Sequence, residues 1–144
     1  MKLQKATRFG LYAVLELAAH ADDQLSASDI ADRFGISANH LAKVLRDLTR
    51  AGLVDSSRGA GGGYRFSGNA KRTTLMDIIK LFEDIGADAL GAQNLGQETE
   101  IGRSLGLVLD EIDEIARATF SSITIDTLLK TMRWRRNNQE SSTI

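Results

Sequence analysis

Cysteine and proline are both missing from the 144 residues. The first absence excludes disulfides, thiolate metal sites and iron–sulfur clusters held by cysteine. The second fits a largely helical chain whose turns are made by its 13 glycines. No apolar run reaches about 18 residues, the length a membrane-spanning helix needs. The start, "MKLQKATRFG", lacks the apolar stretch and small-residue cleavage site of a secretory signal, so the expected compartment is the cytoplasm and no membrane partner is expected. A large excess of either charge is missing too: the formal net charge is −1.

That near-neutral total hides a polarised chain. Residues 1–72 carry 11 Lys and Arg against 7 Asp and Glu, while residues 73–144 carry 7 against 12. Any binding of a polyanion must therefore come from local clusters in the first half. The length allows one compact core, or a small domain with an appended dimerisation segment.

The periodicity is mostly helical. "TRFGLYAVLELAAHA", Thr7 to Ala21, is apolar on nearly all sides and reads as a buried helix. "LSASDIADRFGIS" offers Ser26 or Ser28 as an N-cap, a short helix with Ile30, Ala31 and Phe34 on its apolar face, and Gly35 as a stop. Ser37 caps a further helix running to about Ala51, with Leu41, Val44, Leu45 and Leu48 at i, i+3, i+4, i+7 and Gly52 closing it. Two short helices joined by the "FGIS" turn make a helix-turn-helix. "LVDSS" and "YRFS" then flank "RGAGGG", a strand, glycine-rich tip and strand.

The expected fold class is therefore mainly α with a small β-hairpin wing: a winged helix-turn-helix over residues 1–68, then connecting and dimerisation helices over residues 69–135. "TTLMDIIKLFEDI" supplies a helix capped by Thr73 or Thr74, with Leu75, Ile78, Ile79 and Phe82 on one side. "GADALGAQNLGQE" reads as a loop. Ile101, Leu105, Val108, Ile112 and Ile115 are then spaced 4, 3, 4, 3, a heptad seam with Asp110, Glu111, Asp113, Glu114 and Arg117 outside it. "ITIDTLLKTMRWRR" gives a last short helix, and residues 136–144 are expected to be a disordered tail.

On the Ser37 helix, Asn39, Lys43, Arg46 and Arg50 share the face away from the core. Such a face serves solubility, or it reads DNA from the major groove. Asn39 suits adenine, Lys43 suits guanine, His40 adds a donor to base or phosphate, and Arg46 and Arg50 suit phosphates. Ser28 and Ser37, at the starts of the two helices, are further candidates for the DNA-facing set. "RGAGGGYRF" has three readings: a flexible linker, a nucleotide loop or a DNA-binding wing. A nucleotide loop leads into a helix, whereas Gly63 leads into the strand "YRFS". In a wing, Gly61, Gly62 and Gly63 bring backbone N–H groups close to a sugar-phosphate chain, beside Arg58, Tyr64 and Arg65. The heptad helix either packs on its own domain or pairs with a second copy, which would set two reading helices about one duplex turn apart.

Nothing comparable supports catalysis or metal binding. His20 and His40 lie on different helices without a carboxylate cluster, and neither a nucleophile elbow nor a Cys/His pair is present. No enzyme activity, no metal and no cofactor are expected.

"MKLQKATRFGLYAV", "ISANHLAKVLRDLTRAGLV" and "SSRGAGGGYRF", in that order and spacing, resemble the Rrf-two family of bacterial winged-helix regulators over roughly residues 1–130. "NHLAKV" looks closest to the nitric-oxide-sensing branch. The resemblance implies a homodimeric transcription factor, usually a repressor. The Ser37 helix would enter the major groove and the Arg58 to Tyr64 wing the minor groove, while the helix from Glu100 to Phe120 would make the dimer contact. Relatives that sense iron or nitric oxide carry three cysteines in the loop before that helix. Here Leu90, Gly96 and Gly102 stand near those places, and Arg8 stands where some relatives place an acidic ligand. The resemblance thus implies a member without the cluster, controlled by a partner protein or a small effector. The alternative function is a protein-interaction module that keeps the scaffold and docks a partner through its acidic second half.

Overall fold

The computed structural model describes residues 2–83, 96 and 98–142. Its helices and strands run α1 (Lys5–Ala19), α2 (Ala27–Phe34), α3 (Ala38–Arg50), β1 (Val54–Ser57), β2 (Gly63–Phe66), α4 (Leu75–Ile79), α5 (Glu100–Ser122) and α6 (Ile125–Ser141). The apolar stripes of the first three helices meet in one core. Val14 and Leu17 of α1, Ile30 of α2, and Leu41, Val44, Leu45 and Leu48 of α3 are all buried there. Val54 of β1, Ile78 of α4 and Ile125 of α6 complete it.

Local chemistry sets where the helices begin. Ser26, not Ser28, caps α2: its Oγ accepts the Asp29 N–H at 3.0 Å while the Asp29 carboxylate accepts the Ser26 N–H at 3.0 Å. Gly35 ends that helix in the left-handed region, φ 64°. The Oγ of Ser37 accepts the His40 N–H at 3.4 Å and starts α3. α2 is fastened to α1 by the ion pair of Arg33 with Glu16. α1 is less buried than its composition suggests, because Tyr12 faces solvent and stacks on Phe34 at 5.0 Å.

The hairpin pairs antiparallel, Val54 with Phe66 through Ser57 with Gly63. A third partner completes it. Leu25, just before α2, exchanges two backbone hydrogen bonds with Tyr64, at 3.0 and 2.8 Å. A Cβ on Gly63 would lie 2.8 Å from the Leu25 carbonyl oxygen, so only glycine lets the wing dock this closely on the helix-turn-helix.

Two helix boundaries differ from expectation. α4 is five residues long, ending well short of the expected stretch. α6 is longer than the short helix expected and continues through Ser141, into the stretch 136–144 where a tail was expected; residues 143 and 144 lie outside the described residues. No glycine or proline interrupts Thr127 to Ser142, and the hydroxyls of Ser141 and Ser142 bond back to the Asn137 and Asn138 carbonyls at 3.0 and 2.9 Å. Of the expected loop at 86–99, residues 86–95 and 97 lie outside the described residues.

α4 depends on a reciprocal cap. The Oγ1 of Thr74 accepts the Asp77 N–H at 3.2 Å, and the Asp77 carboxylate accepts the Thr74 N–H at 2.9 Å. That backbone hydrogen bond, with help from Lys80, holds the Asp77 carboxyl below its ordinary 3.8. A lowered folded-state pKa adds stability that is complete above the unfolded value and disappears as pH falls through the folded one. Thr74→Ala is expected to cost about 1 kcal/mol by urea unfolding at neutral pH. Asp77→Asn is expected to show its deficit at neutral pH and to converge with the parent protein in acid. A deficit unchanged between pH 7 and pH 2 would contradict this role for Asp77.

Candidate nucleic-acid interface

At 100° per residue, Asn39, Lys43, Arg46 and Arg50 lie roughly 140–200° around α3 from Leu41, directly opposite the buried stripe. All four are exposed. Folding thus leaves one polar and cationic strip along the outer surface of the second helix of a helix-turn-helix. His40 stands apart from it. Half-buried, it turns its ring edge-on to Phe9 of α1, with centroids 5.0 Å apart and planes at 77°.

The wing rises beside this strip. Between them is a cleft of about 420 Å3, lined by Ala42, Arg46, Thr49 and Arg50 from α3 and by Ser56, Ser57, Arg58, Gly63 and Tyr64 from the hairpin. Three guanidinium groups and four hydroxyls line one concave surface. The Thr49 and Ser57 hydroxyls donate within the protein, to the Leu45 carbonyl at 2.8 Å and to Gln24 Oε1 at 3.1 Å, so the guanidinium groups, with the hydroxyls of Ser56 and Tyr64, are the donors that suit phosphate oxygens of a nucleic-acid backbone. Arg65 contributes less, because Asp55 lies directly opposite it in the ladder. At the tip, a Cβ on Gly62 would fall 2.5 Å from the Ser57 carbonyl oxygen, so the turn closes only on glycine.

Of the residues singled out from the sequence, Asn39, Lys43, Arg46, Arg50, Arg58, Gly63 and Tyr64 are gathered along α3 and its cleft. Gly61 and Gly62 form the tip beyond them. Ser37 spends its hydroxyl on the cap, and Ser28 is exposed in the first turn of α2. Thr49, Ser56 and Ser57 were not anticipated. Thr49 follows Arg46 by three residues, and Ser56 pairs with Tyr64, so helix spacing and hairpin register were the signals that pointed to them.

α5 places a different surface on the chain. Gly102, Gly106, Leu109, Asp113, Ala116 and Phe120 are half-buried along one side of α5. The helix packs on α4, and beside its C-terminal end the Leu75 N–H donates to the Ile123 carbonyl at 2.9 Å. The heptad residues Ile101, Leu105, Val108, Ile112 and Ile115 lie on the neighbouring face and are between 52% and 81% exposed.

A helix-turn-helix with a docked wing and a cationic outer strip defines a DNA-binding transcriptional regulator of the winged-helix class, not an enzyme. The Rrf2 family, described as "Iron-dependent Transcriptional regulator", matches residues 3–131. The chain belongs to that family. It is 57% identical over 140 residues to BadM of Rhodopseudomonas palustris, named as an HTH-type transcriptional regulator, covering 97% of this chain and 88% of that protein. Among solved structures it resembles CymR (YrzC), the global cysteine regulator of B. subtilis, with TM-score 0.75 and 28% identity over 91% of this chain and 98% of that one. T. potens IscR aligns with TM-score 0.72 and 27% identity over 92% and 88%.

The family's description names iron, and the donors here do not fit an iron–sulfur cluster. The sequence has no cysteine, and the described residues hold no group of three His, Asp or Glu side chains that could bind a metal. Leu90 lies outside the described residues. Gly96 and Gly102 have no donor side chain, and Arg8 is an exposed cation. No helix among the described residues is long and apolar enough to cross a membrane.

Proposed function

We propose that the protein acts in the cytoplasm as a homodimeric repressor that reads a pseudo-palindromic operator without an iron–sulfur cluster. One observation carries the reading: the same chain exposes a cationic strip on its helix-turn-helix and an uncovered apolar heptad stripe on a 23-residue helix. Pairing two copies of α5 through that stripe covers it and presents two copies of α3 to one duplex. Half-sites would lie about 34–36 Å apart, one turn of DNA. Lys43 and Asn39 then face base edges, Arg46, Arg50 and Arg58 take phosphates, and the glycine tip follows the backbone into the neighbouring minor groove. Without a cluster, release from DNA falls to a small effector or a partner protein.

Fluorescence anisotropy on the upstream DNA of the protein's own gene tests this. Affinity is expected to fall with salt, each neutralised phosphate adding about −0.9 to the log–log slope. Lys43→Ala is expected to cost about 1–3 kcal/mol on the operator and to relax sequence preference at one position. Binding indifferent to both salt and Lys43→Ala would overturn the proposal. It would favour instead a module that docks a protein through its acidic second half, checked by pull-down with and without nuclease.

A further inference from the structure

The wing lines only one flank of α3. Around the helix from Leu41, Ala42 and Thr49 lie at about +100° and +80°, on the wing side, while His40 and Asp47 lie at about −100° and −120°, on the other. That second flank belongs to α1, whose Phe9 meets the His40 ring. On α1 the buried residues Gly10, Ala13 and Leu17 lie about 40–100° from Phe9 in one direction. Lys5 and Arg8 lie about 40° and 100° from it in the other, with the exposed Tyr12 between them. Lys5 and Arg8 therefore stand on the outer edge of the seam between α1 and α3. Lys43, one turn after His40, borders the same edge from the α3 side.

The charge on this edge is all of one sign. No acidic residue precedes Glu16 in the chain, while Lys2, Lys5 and Arg8 are exposed cations. Elsewhere in the helix-turn-helix and wing, cations are neutralised: Arg33 pairs with Glu16, and Arg65 stands opposite Asp55. No carboxylate among the described residues pairs with Lys2, Lys5 or Arg8. Positive charge in the opening turn of a helix runs against the helix dipole, so Lys5 does nothing for α1 itself, and an anion outside the chain offsets that cost.

We propose that this edge of α1 is a second phosphate-binding wall. Lys5 and Arg8 contact the sugar-phosphate backbone of one DNA strand, across the major groove from the strand that the wing cleft meets. The groove is about 12 Å wide and a helix with its side chains about 10–12 Å across, so a seated α3 brings both of its flanks up to phosphate. Cations on the wing flank alone leave α3 free to roll within the groove. Cations on both flanks fix that roll, and Asn39 and Lys43 then meet the base edges squarely. The contact of Phe9 with His40 sets how far the wall stands from the reading face. Backbone contacts carry no sequence information of their own, so the wall acts alike on operator and non-operator DNA. It presupposes the operator-binding reading.

Anisotropy of the full chain on the operator and on a scrambled duplex of equal length tests the wall, using the double variant Lys5→Ala/Arg8→Ala. Binding to both duplexes is expected to weaken at least tenfold at low salt, by a similar factor on each. The log–log salt slope is expected to shrink by about 0.9 for each phosphate released, or about 3–4 for a dimer carrying four of these cations. Lys43→Ala, by contrast, is expected to weaken the operator more than the scrambled duplex. Both α1 side chains are exposed, so thermal melts and sedimentation of the double variant are expected to match the parent protein. An unchanged salt slope overturns the wall. A loss confined to the operator also overturns it, because the two side chains would then read bases, and so does a loss of dimerisation, because they would then serve a second copy. A parent protein that binds neither duplex overturns the operator reading and the wall with it. Binding that depends on Lys43 and ignores Lys5→Ala/Arg8→Ala overturns the wall alone.

Discussion

Replacing Val108 and Ile112 together by aspartate is expected to leave a folded monomer whose operator affinity is lower by about 10²–10⁴-fold, the usual advantage of linking two binding units. Both side chains belong to the exposed stripe of α5, and neither contributes to the core. The helix keeps its contact with α4, and none of its residues is buried in the core, so the fold itself has little to lose. In the paired form, by contrast, four new carboxylates would enter one apolar seam. Each must be desolvated or protonated, at a cost of several kcal/mol. Sedimentation velocity is expected to show a dimer for the parent protein and a monomer for the variant, with superimposable circular dichroism. A variant that stays dimeric would show that the pairing surface lies elsewhere. A monomeric variant with parental affinity would remove the need for two copies of α3 on one operator.

Much of this arrangement was legible in the sequence, and the exceptions have physical causes. Leu41, Val44, Leu45 and Leu48 announced α3 because an apolar stripe at helical spacing has few other uses, and Ser37, Gly35 and Gly52 fixed its surroundings. The cationic strip followed from the same wheel. The strand contributed by Leu25 was invisible, since a one-residue bridge leaves no alternation to detect. His40 was grouped with Asn39 by adjacency in the chain, yet one residue along a helix is a 100° turn, and that turn brings it against Phe9. The half-buried side of α5 was masked by its own composition: two glycines and Asp113 break an apolar pattern that burial reveals as a second heptad series. The length of α6 was hidden by polar composition, although no glycine or proline stands between Thr127 and Ser142 to end the helix.

Leu45→Ala is expected to destabilise the fold by about 2–5 kcal/mol while leaving the intrinsic affinity of the folded protein for DNA nearly unchanged. Leu45 is 0% exposed, in the middle of α3, and packs in the core that α1, α2, β1, α4 and α6 share. Truncating it removes the transfer energy of its side chain and leaves a void that the elements packed on α3, namely α1, α2 and β1, cannot all collapse to fill. For a chain of this length each kcal/mol lowers the melting temperature by roughly 2–6 °C, so calorimetry reads the effect directly. The strip of Asn39, Lys43, Arg46 and Arg50 lies on the opposite side of the helix, so anisotropy well below the lowered melting point is expected to give a dissociation constant within about threefold of the parent protein. Lys43→Ala is expected to do the reverse, weakening DNA binding with little change in melting temperature. The two variants together separate holding α3 in place from reading DNA with it. A Leu45→Ala protein that melts like its parent would mean that the shared core does not anchor the reading helix, and the geometry of the interface would then need another source.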